Sequence, residues 1–325
     1  MRILVTGGAG YVGSELVPAL LRRGHRVTVY DWCLFGRDVL ASSPNLSIIK
    51  ADIRDRKMLS VALVGMDAVI HLACISNDPS FELDPALGRS VNFDCLSDIV
   101  ELSKEAGVKR FIYASSSSVY GVKTEPRVTE DLSLEPLTDY SMYKAMGEEI
   151  VRKADSPTFT TTILRPATVC GYAPRLRLDL VVNLFTAQAF HLRKLVILGG
   201  DQLRPNLHIE DMVRAYLLVL DANPTSVAGQ TFNVGAENLS VRTIAERVQQ
   251  ALGGPIDVTV EASNDKRSYA VDSNAIALHL GFVPRRNVID AAHGLLAAFK
   301  AGLVPNAMTD PRYYNVRMLQ SCRIS

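Results

Sequence analysis

The chain lacks the signals that mark membrane proteins, nucleic-acid binders and disulfide-built secreted domains. Its 325 residues contain no run of 18 apolar residues, so no transmembrane helix is expected. Neither sign of charge is in excess: Lys+Arg 35 against Asp+Glu 34 leaves +1. Nucleic-acid and membrane-surface binders usually carry a basic surplus, so neither partner is expected. Cysteine is sparse. Cys33, Cys74, Cys95, Cys170 and Cys322 are odd in number and scattered, with no CxxC and no metal-ligand spacing. That pattern argues against a disulfide framework and a bound metal, and points to the reducing cytoplasm. The apolar opening Ile3-Leu4-Val5 runs straight into glycines, unlike a signal-peptide core. No internal repeat, low-complexity tract or long block of like charge interrupts the chain.

What the chain does have is hydrophobic content of 48%, enough at this length to bury a sizeable core in one or two domains. Short apolar runs at 2–6, 26–31, 46–50, 68–72, 110–114 and 160–164 read as strands. Amphipathic stretches at 11–23, 55–63, 85–106 and 139–153 read as helices between them. Strands alternating with helices predict an α/β fold with a parallel sheet covered on both faces. Beyond Pro166 the alternation loosens, with helices expected at 178–193, 209–221, 241–252 and 288–301. The expected division is a nucleotide-binding domain over 1–166 and a smaller α/β substrate lobe over most of 167–325, some segments returning to the sheet.

Between the first strand and first helix lies Thr6-Gly7-Gly8-Ala9-Gly10-Tyr11-Val12-Gly13. Glycines there let the backbone turn sharply and approach a pyrophosphate, which the free N–H groups of a helix N-terminus then meet. A tight turn without a ligand is the plainer reading of glycines alone. The order strand, glycines, helix favours a Rossmann-type dinucleotide site. Asp31 closes the second strand, 18 positions after Gly13. A carboxylate there accepts bonds from the adenosine ribose and repels a 2′-phosphate, which selects NAD over NADP. Nearby Arg37 is the one feature that keeps NADP as an alternative.

Tyr140 and Lys144 stand four apart on an expected helix and share a face. Tyr-x-x-x-Lys is weak alone, since chance supplies about 0.3 such pairs in a chain of this composition. Its context is the run Ala114-Ser115-Ser116-Ser117-Ser118-Val119-Tyr120-Gly121, placed after a strand on the ligand-binding edge of the sheet.

With these pieces in hand, the chain resembles an extended short-chain dehydrogenase/reductase of the NAD-dependent nucleotide-sugar epimerase/dehydratase family. Ala51-Asp52-Ile53, His71-Leu72-Ala73, Arg204 to Asp211 (RPNLHIED) and Arg267 in DKRSY extend the match over nearly the whole chain. The resemblance implies NAD as cofactor, held by Gly7, Gly10, Tyr11, Val12, Gly13 and Asp31, with Asp52 and Ile53 flanking the adenine. It puts Leu72 and Ala73 along the cofactor channel and Asn92 near the nicotinamide, which Tyr140 and Lys144 also face. The catalytic set it implies is Ser116, Tyr140 and Lys144. A lysine ammonium beside a phenol stabilises the phenolate, so Tyr140 can take a proton from a sugar hydroxyl as hydride leaves the same carbon, most simply C4.

Three outcomes follow such a ketone: epimerisation, 4,6-dehydration, or release by a C4 dehydrogenase. In dehydratases of the family an Asp-Glu pair usually follows the hydroxyl residue, whereas Ser117 and Ser118 stand here and cannot act as carboxylate acid or base. A 4-epimerase is therefore expected, with the dehydrogenase as alternative. An NAD-sensing regulator is the non-enzyme alternative, set back because Ser116, Tyr140 and Lys144 are all present. Arg177, Arg204 and Arg267 are candidates for the substrate diphosphate; Ser116, Ser117, Thr168 and Asn183 complete the expected substrate set. Thr168 stands where many relatives have Asn. The stretch from Pro174 to Asn183 resembles a sub-branch acting on GDP-linked heptoses and octoses, so the expected partner is a GDP- or UDP-linked sugar. His208 could touch the nucleotide base or start a helix. Relatives commonly pair as homodimers, and the helices at 85–106 and 139–153 are the expected seam. No role attaches to the aromatic tail around Tyr313 and Tyr314.

Overall fold

The structure is a computed structural model and describes residues 1–263 and 267–322. Asp265 and Lys266 of the DKRSY motif lie outside the described residues.

Among the described residues, twelve strands follow one another as β1 (Arg2–Thr6), β2 (Arg26–Asp31), β3 (Leu46–Lys50), β4 (Ala68–His71), β5 (Arg110–Ala114), β6 (Thr160–Pro166), β7 (Thr168–Cys170), β8 (Lys194–Leu198), β9 (Leu203–His208), β10 (Gln230–Val234), β11 (Glu237–Ser240) and β12 (Asp257–Glu261). Seven of them form one parallel sheet in the order β10-β6-β5-β4-β1-β2-β3. Strand neighbours reverse direction of travel between β1 and β4, and ligands bind at such a switch point, beyond the carboxyl ends of the strands. Alternation along β1 explains why both faces are covered. Ile3 and Val5 pack on one side with Leu16 and Leu20, while Leu4 packs on the other with Leu59, Val69 and Phe111. The doubly wound parallel sheet expected from the sequence is thus the observed core.

The helix that carries Tyr140 and Lys144, Asp139–Ala154, starts where Thr138 accepts from the Ser141 amide and Ser141 bonds back to the Thr138 amide, a reciprocal cap. The expected helix over 85–106 is instead three helical pieces, Pro85–Arg89, a wide turn at Ser90–Asp94 and Leu96–Glu105. The chain beyond 166 is not confined to one lobe. Helix Ile209–Asp221 packs against the first helix, Gly13–Arg22, and β10 joins the large sheet beside β6. The remainder builds two small sheets, β11-β9-β7 and β12-β8, over a core shared by helices Val181–Leu192, Val241–Leu252 and Val288–Lys300. Among the described residues no helix is long and apolar enough to cross a membrane.

Beneath the serine run lies a buried polar network. Arg165 on β6 grips Glu148 through two bonds of 2.9 and 2.6 Å, and Ser115 donates to the same carboxylate at 2.5 Å. Arg165 also donates to the Tyr120 hydroxyl at 2.7 Å, which donates to Asn233 on β10 at 2.8 Å. Glu148 is fully buried and its pair geometry is bidentate, so every charge is matched. Removing one partner strands the other in a dry interior. Glu148→Ala is expected to cost about 3–5 kcal/mol in a denaturant titration, while Glu148→Gln, which keeps one acceptor, costs less; equal losses for the two would contradict this reading.

Candidate active site

The carboxyl ends of β1, β4 and β5 open into a continuous cavity of about 720 Å³. Its floor is the glycine loop. Gly7 has φ +71°, and a Cβ there would lie 2.6 Å from the Ala73 amide nitrogen; a Cβ on Gly13 would collide with the Gly8 carbonyl. Only glycine allows the loop to press against the β4 segment and the first helix to start so close behind it. At the loop's far end, Asp31 accepts from the amides of Ala9 (2.9 Å) and Cys33 (2.7 Å). Burial raises the Asp31 pKa, and those two amides hold it down. Arg37 does not line the cavity.

The other end holds the polar cluster. Ser116 caps the short turn Ser117–Tyr120 by accepting from the Ser118 amide at 3.1 Å, and its hydroxyl lies 2.8 Å from that of Ser118. The Tyr140 phenol lines the cavity beside it. Burial pushes that phenol well above the usual tyrosine range, and Cys74 and Asp78 add to the effect; Arg177 and Ser116 pull the other way. Lys144 is buried, donates to the Ala114 carbonyl at 2.6 Å and lies 5.0 Å from the centre of the Tyr113 ring. Burial, then Lys144, drives His71 down to about 3, so its ring stays neutral beside Thr6 at 2.7 Å.

Three arginines face this end. Arg267 pairs with Asp78, and Arg204 donates to the Arg267 carbonyl. Arg177 has partners of its own. Asp179 accepts from its Nε at 3.0 Å and Ser76 from its Nη1 at 3.1 Å, while Nη2 has no partner among the described residues. Its charge lowers the pKa of Tyr140 and of Tyr11.

The residues expected to be catalytic or to hold cofactor or substrate line this cavity, from Gly7 through Ala73 to Thr168 and Arg267, with three exceptions. Asp52 turns to Arg54, with contacts of 2.7 to 3.1 Å, so its carboxylate is already engaged away from the cavity. Asn92 spends both ends of its amide on the Ile75 backbone. Asn183 is fully buried, accepting from the Gly171 amide and donating to the Arg177 carbonyl and the Tyr11 hydroxyl. Each braces a cavity wall from behind. His208 caps helix Ile209–Asp221 by accepting from the Glu210 amide at 3.1 Å, the helix-start alternative. Sequence reading passed over Asp78, Glu148 and Arg175. Glu148 had a detectable signal, four positions beyond Lys144; Asp78 and Arg175 meet the site only through long-range folding.

The profile of the NAD dependent epimerase/dehydratase family matches residues 3–235. The chain belongs to that family. Among its relatives, a UDP-glucose 4-epimerase of Lactobacillus helveticus is 28% identical over 313 residues, 89% of this chain and 94% of the relative. A UDP-glucuronic acid 4-epimerase from Bacillus cereus, solved with UDP-glucuronic acid and NAD, superposes with a TM-score of 0.85 at 27% identity, covering 93% of this chain and 99% of that one. A dTDP-glucose 4,6-dehydratase from Streptomyces venezuelae, solved with NAD, also gives 0.85 at 25% identity, covering 96% and 100%. As a member of the NAD-dependent epimerase/dehydratase family the chain is an enzyme, and NAD is its cofactor. The residues present fit that cofactor: a glycine cradle that any Cβ would fill, and a buried carboxylate at its ribose end.

The different bonding of the two carboxylates supplies a direct test. Asp31→Ala is expected to weaken NAD binding tenfold or more, the range of a lost bond to a charged group. Asp52→Ala is expected to leave it within about twofold, since its partner is Arg54. Calorimetric titration with NAD reads both, and similar losses for the two variants would contradict the placement.

Proposed function

We propose that this enzyme is a nucleotide-diphosphosugar 4-epimerase that works through a transient C4 ketone. The observation that carries this reading is how the carboxylates of the cavity are engaged. Elimination of a C6 hydroxyl needs an acid and a base beyond the oxidising tyrosine. Among the described residues lining the cavity, Asp31 stands at the cofactor's ribose end and Asp179 holds Arg177. Asp78 bonds Arg267 and accepts from Thr138 at 2.5 Å. The two positions after Ser116 are serines, Ser117 lying 3.3 Å from the Tyr269 hydroxyl and Ser118 bonded to Ser116. None of these carboxylates is therefore at hand to dehydrate the ketone; return of hydride to its other face is the reading proposed, and release of the ketone by a C4 dehydrogenase is the alternative.

NAD supplies hydride acceptance at C4 and hydride return. The chain's own residues handle the proton and the substrate. Tyr140 takes the proton of the 4-hydroxyl and returns it, with the Ser116 hydroxyl in the same cavity to bond the sugar oxygen. Lys144 and Arg177 supply positive charge that favours the phenolate against its burial. Arg204 and Arg267 hold the diphosphate, and Ser117 and Thr168 face the sugar. Arg177, whose charge reaches Tyr140, reads ring substituents instead of the diphosphate. The expected donor is GDP- or UDP-linked, and the expected assembly a cytoplasmic homodimer. Helices Leu96–Glu105 and Asp139–Ala154 would form its seam, beside which Phe93 stacks on Tyr143 at 5.4 Å.

The test is turnover of a panel of GDP-, UDP- and dTDP-sugars in D2O, with products read by NMR. The proposal expects a C4 epimer with no solvent deuterium in the sugar. Deuterium at C5 or C6 together with loss of the 6-hydroxyl would overturn it in favour of a dehydratase. Tyr140→Phe is expected to lower turnover by about 10²–10⁴-fold while NAD stays bound; full activity in that variant would mean that another group moves the proton.

A further inference from the structure

One cation of the cavity has no anion among the described residues. Arg175 is only 3% exposed, yet its Nε and Nη1 have no partner there. Its Nη2 donates to the side-chain oxygen of Asn315, a neutral acceptor, and its guanidinium lies flat over the Phe35 ring at 3.5 Å. Burial, followed by the neighbouring Arg177, pulls its pKa down to about 9. The nearby carboxylates are already engaged. Asp31 bonds the amides of Ala9 and Cys33, and Asp179 bonds Arg177. A buried guanidinium held by one amide oxygen is costly unless a ligand completes it.

Its place in the fold says which ligand. The Arg175 amide donates to the Ser14 hydroxyl at 3.2 Å, in the first turn of helix Gly13–Arg22, behind the glycine loop. That ten-residue helix points its N-terminus into the cavity, and Arg175 lines the same cavity from the substrate lobe. Helix N-terminus and guanidinium fork therefore converge on one region. The unpartnered Nε and Nη1 are donors on a cation, and phosphate oxygens accept from such donors and from a helix N-terminus alike.

Asn315 comes from the tail that the sequence left without a role. Besides accepting from Arg175, its side chain donates to the Ser76 hydroxyl at 2.9 Å, and its amide donates to Asp179 at 3.1 Å. The Leu178 amide donates to the Tyr313 carbonyl at 2.8 Å, and Leu319, on helix Asn315–Ser321, lines the cavity. The tail thus joins the loop after β4 to the loop after β7 along the cavity wall.

We propose that Arg175 is the side-chain partner of the cofactor's pyrophosphate and that the C-terminal segment, through Asn315, straps the dinucleotide in place as a group that does not exchange between turnovers. The Arg175 assignment rests on the NAD dependence of the family, and the strap rests also on the proposed function, since a dehydrogenase would exchange its cofactor at every turnover. The tail thereby gains a purpose: an enzyme that takes hydride and returns it benefits from a cofactor that stays.

The test uses the full-length enzyme as purified. Arg175→Gln keeps most of the volume and removes the charge. It is expected to weaken NAD and ADP at least tenfold, with adenosine unchanged, in competitive titrations. Asn315→Ala leaves Arg175 in place and is expected to speed exchange of bound NAD for labelled NAD at least tenfold, read by nucleotide extraction after gel filtration. Arg175→Lys is expected to recover part of the ADP affinity, as a point charge without the fork. Wild-type ADP affinity in Arg175→Gln would overturn the pyrophosphate assignment. An equal loss for adenosine would overturn it too, by placing the contact at the ribose. Wild-type exchange in a folded Asn315→Ala would overturn the strap.

Discussion

Glu148 and Arg165 meet in the dry space beneath the serine run, and the geometry of the candidate site depends on that pair. Glu148 lies on the helix of Tyr140 and Lys144, Arg165 on β6, and Ser115 of the intervening loop closes on the same carboxylate. Tyr120 carries the network on to β10. The network thus ties the serine loop to the tyrosine helix, so that Ser116 and Tyr140 line one cavity. It belongs to the polar networks that are stabilising only when every member is satisfied. The same bonds explain how β10, more than sixty positions after β6 in sequence, comes to rest beside it.

Above that foundation the cavity divides its charges. At the cofactor end a raised carboxylate, Asp31, is held by two amides, and a cation, Arg175, has donors to spare. Elsewhere in the cavity each carboxylate is matched to an arginine, Asp78 to Arg267 and Asp179 to Arg177. Matching of this kind leaves Tyr140 as the group that titrates against its surroundings, with burial raising its pKa and Arg177 lowering it. A site arranged so is suited to moving one proton on and off one oxygen, and poorly suited to the extra acid and base of an elimination.

Much of this was legible in the sequence because it rests on local rules. The glycine loop, Asp31 and the Tyr-Lys pair declare themselves through spacing that a strand, a turn or a helix enforces. Helix Val241–Leu252 is recovered residue for residue because its apolar stripe and its Ser240 cap agree. What stayed hidden depends on contacts between distant segments. Asp52 and Asn92 match the family's pattern, yet Arg54 and the Ile75 backbone claim them, and no pattern within either stretch announces such partners. Arg175 reads as an ordinary loop arginine until the tail folds back and Asn315 meets it. The wide turn at Ser90–Asp94 likewise replaces a plain helical register that periodicity alone would draw through it.

Everything proposed for the sugar end comes down to hydride that leaves C4 and returns to the same sugar within one closed site. The redox balance of a single enzyme preparation turning over its sugar nucleotide measures this directly. It follows the near-ultraviolet absorbance of reduced NAD alongside product identity by NMR. A new C4 epimer with no net accumulation of reduced cofactor is the expected result. Reduced NAD rising in step with a released ketosugar would contradict it and make the enzyme a C4 dehydrogenase.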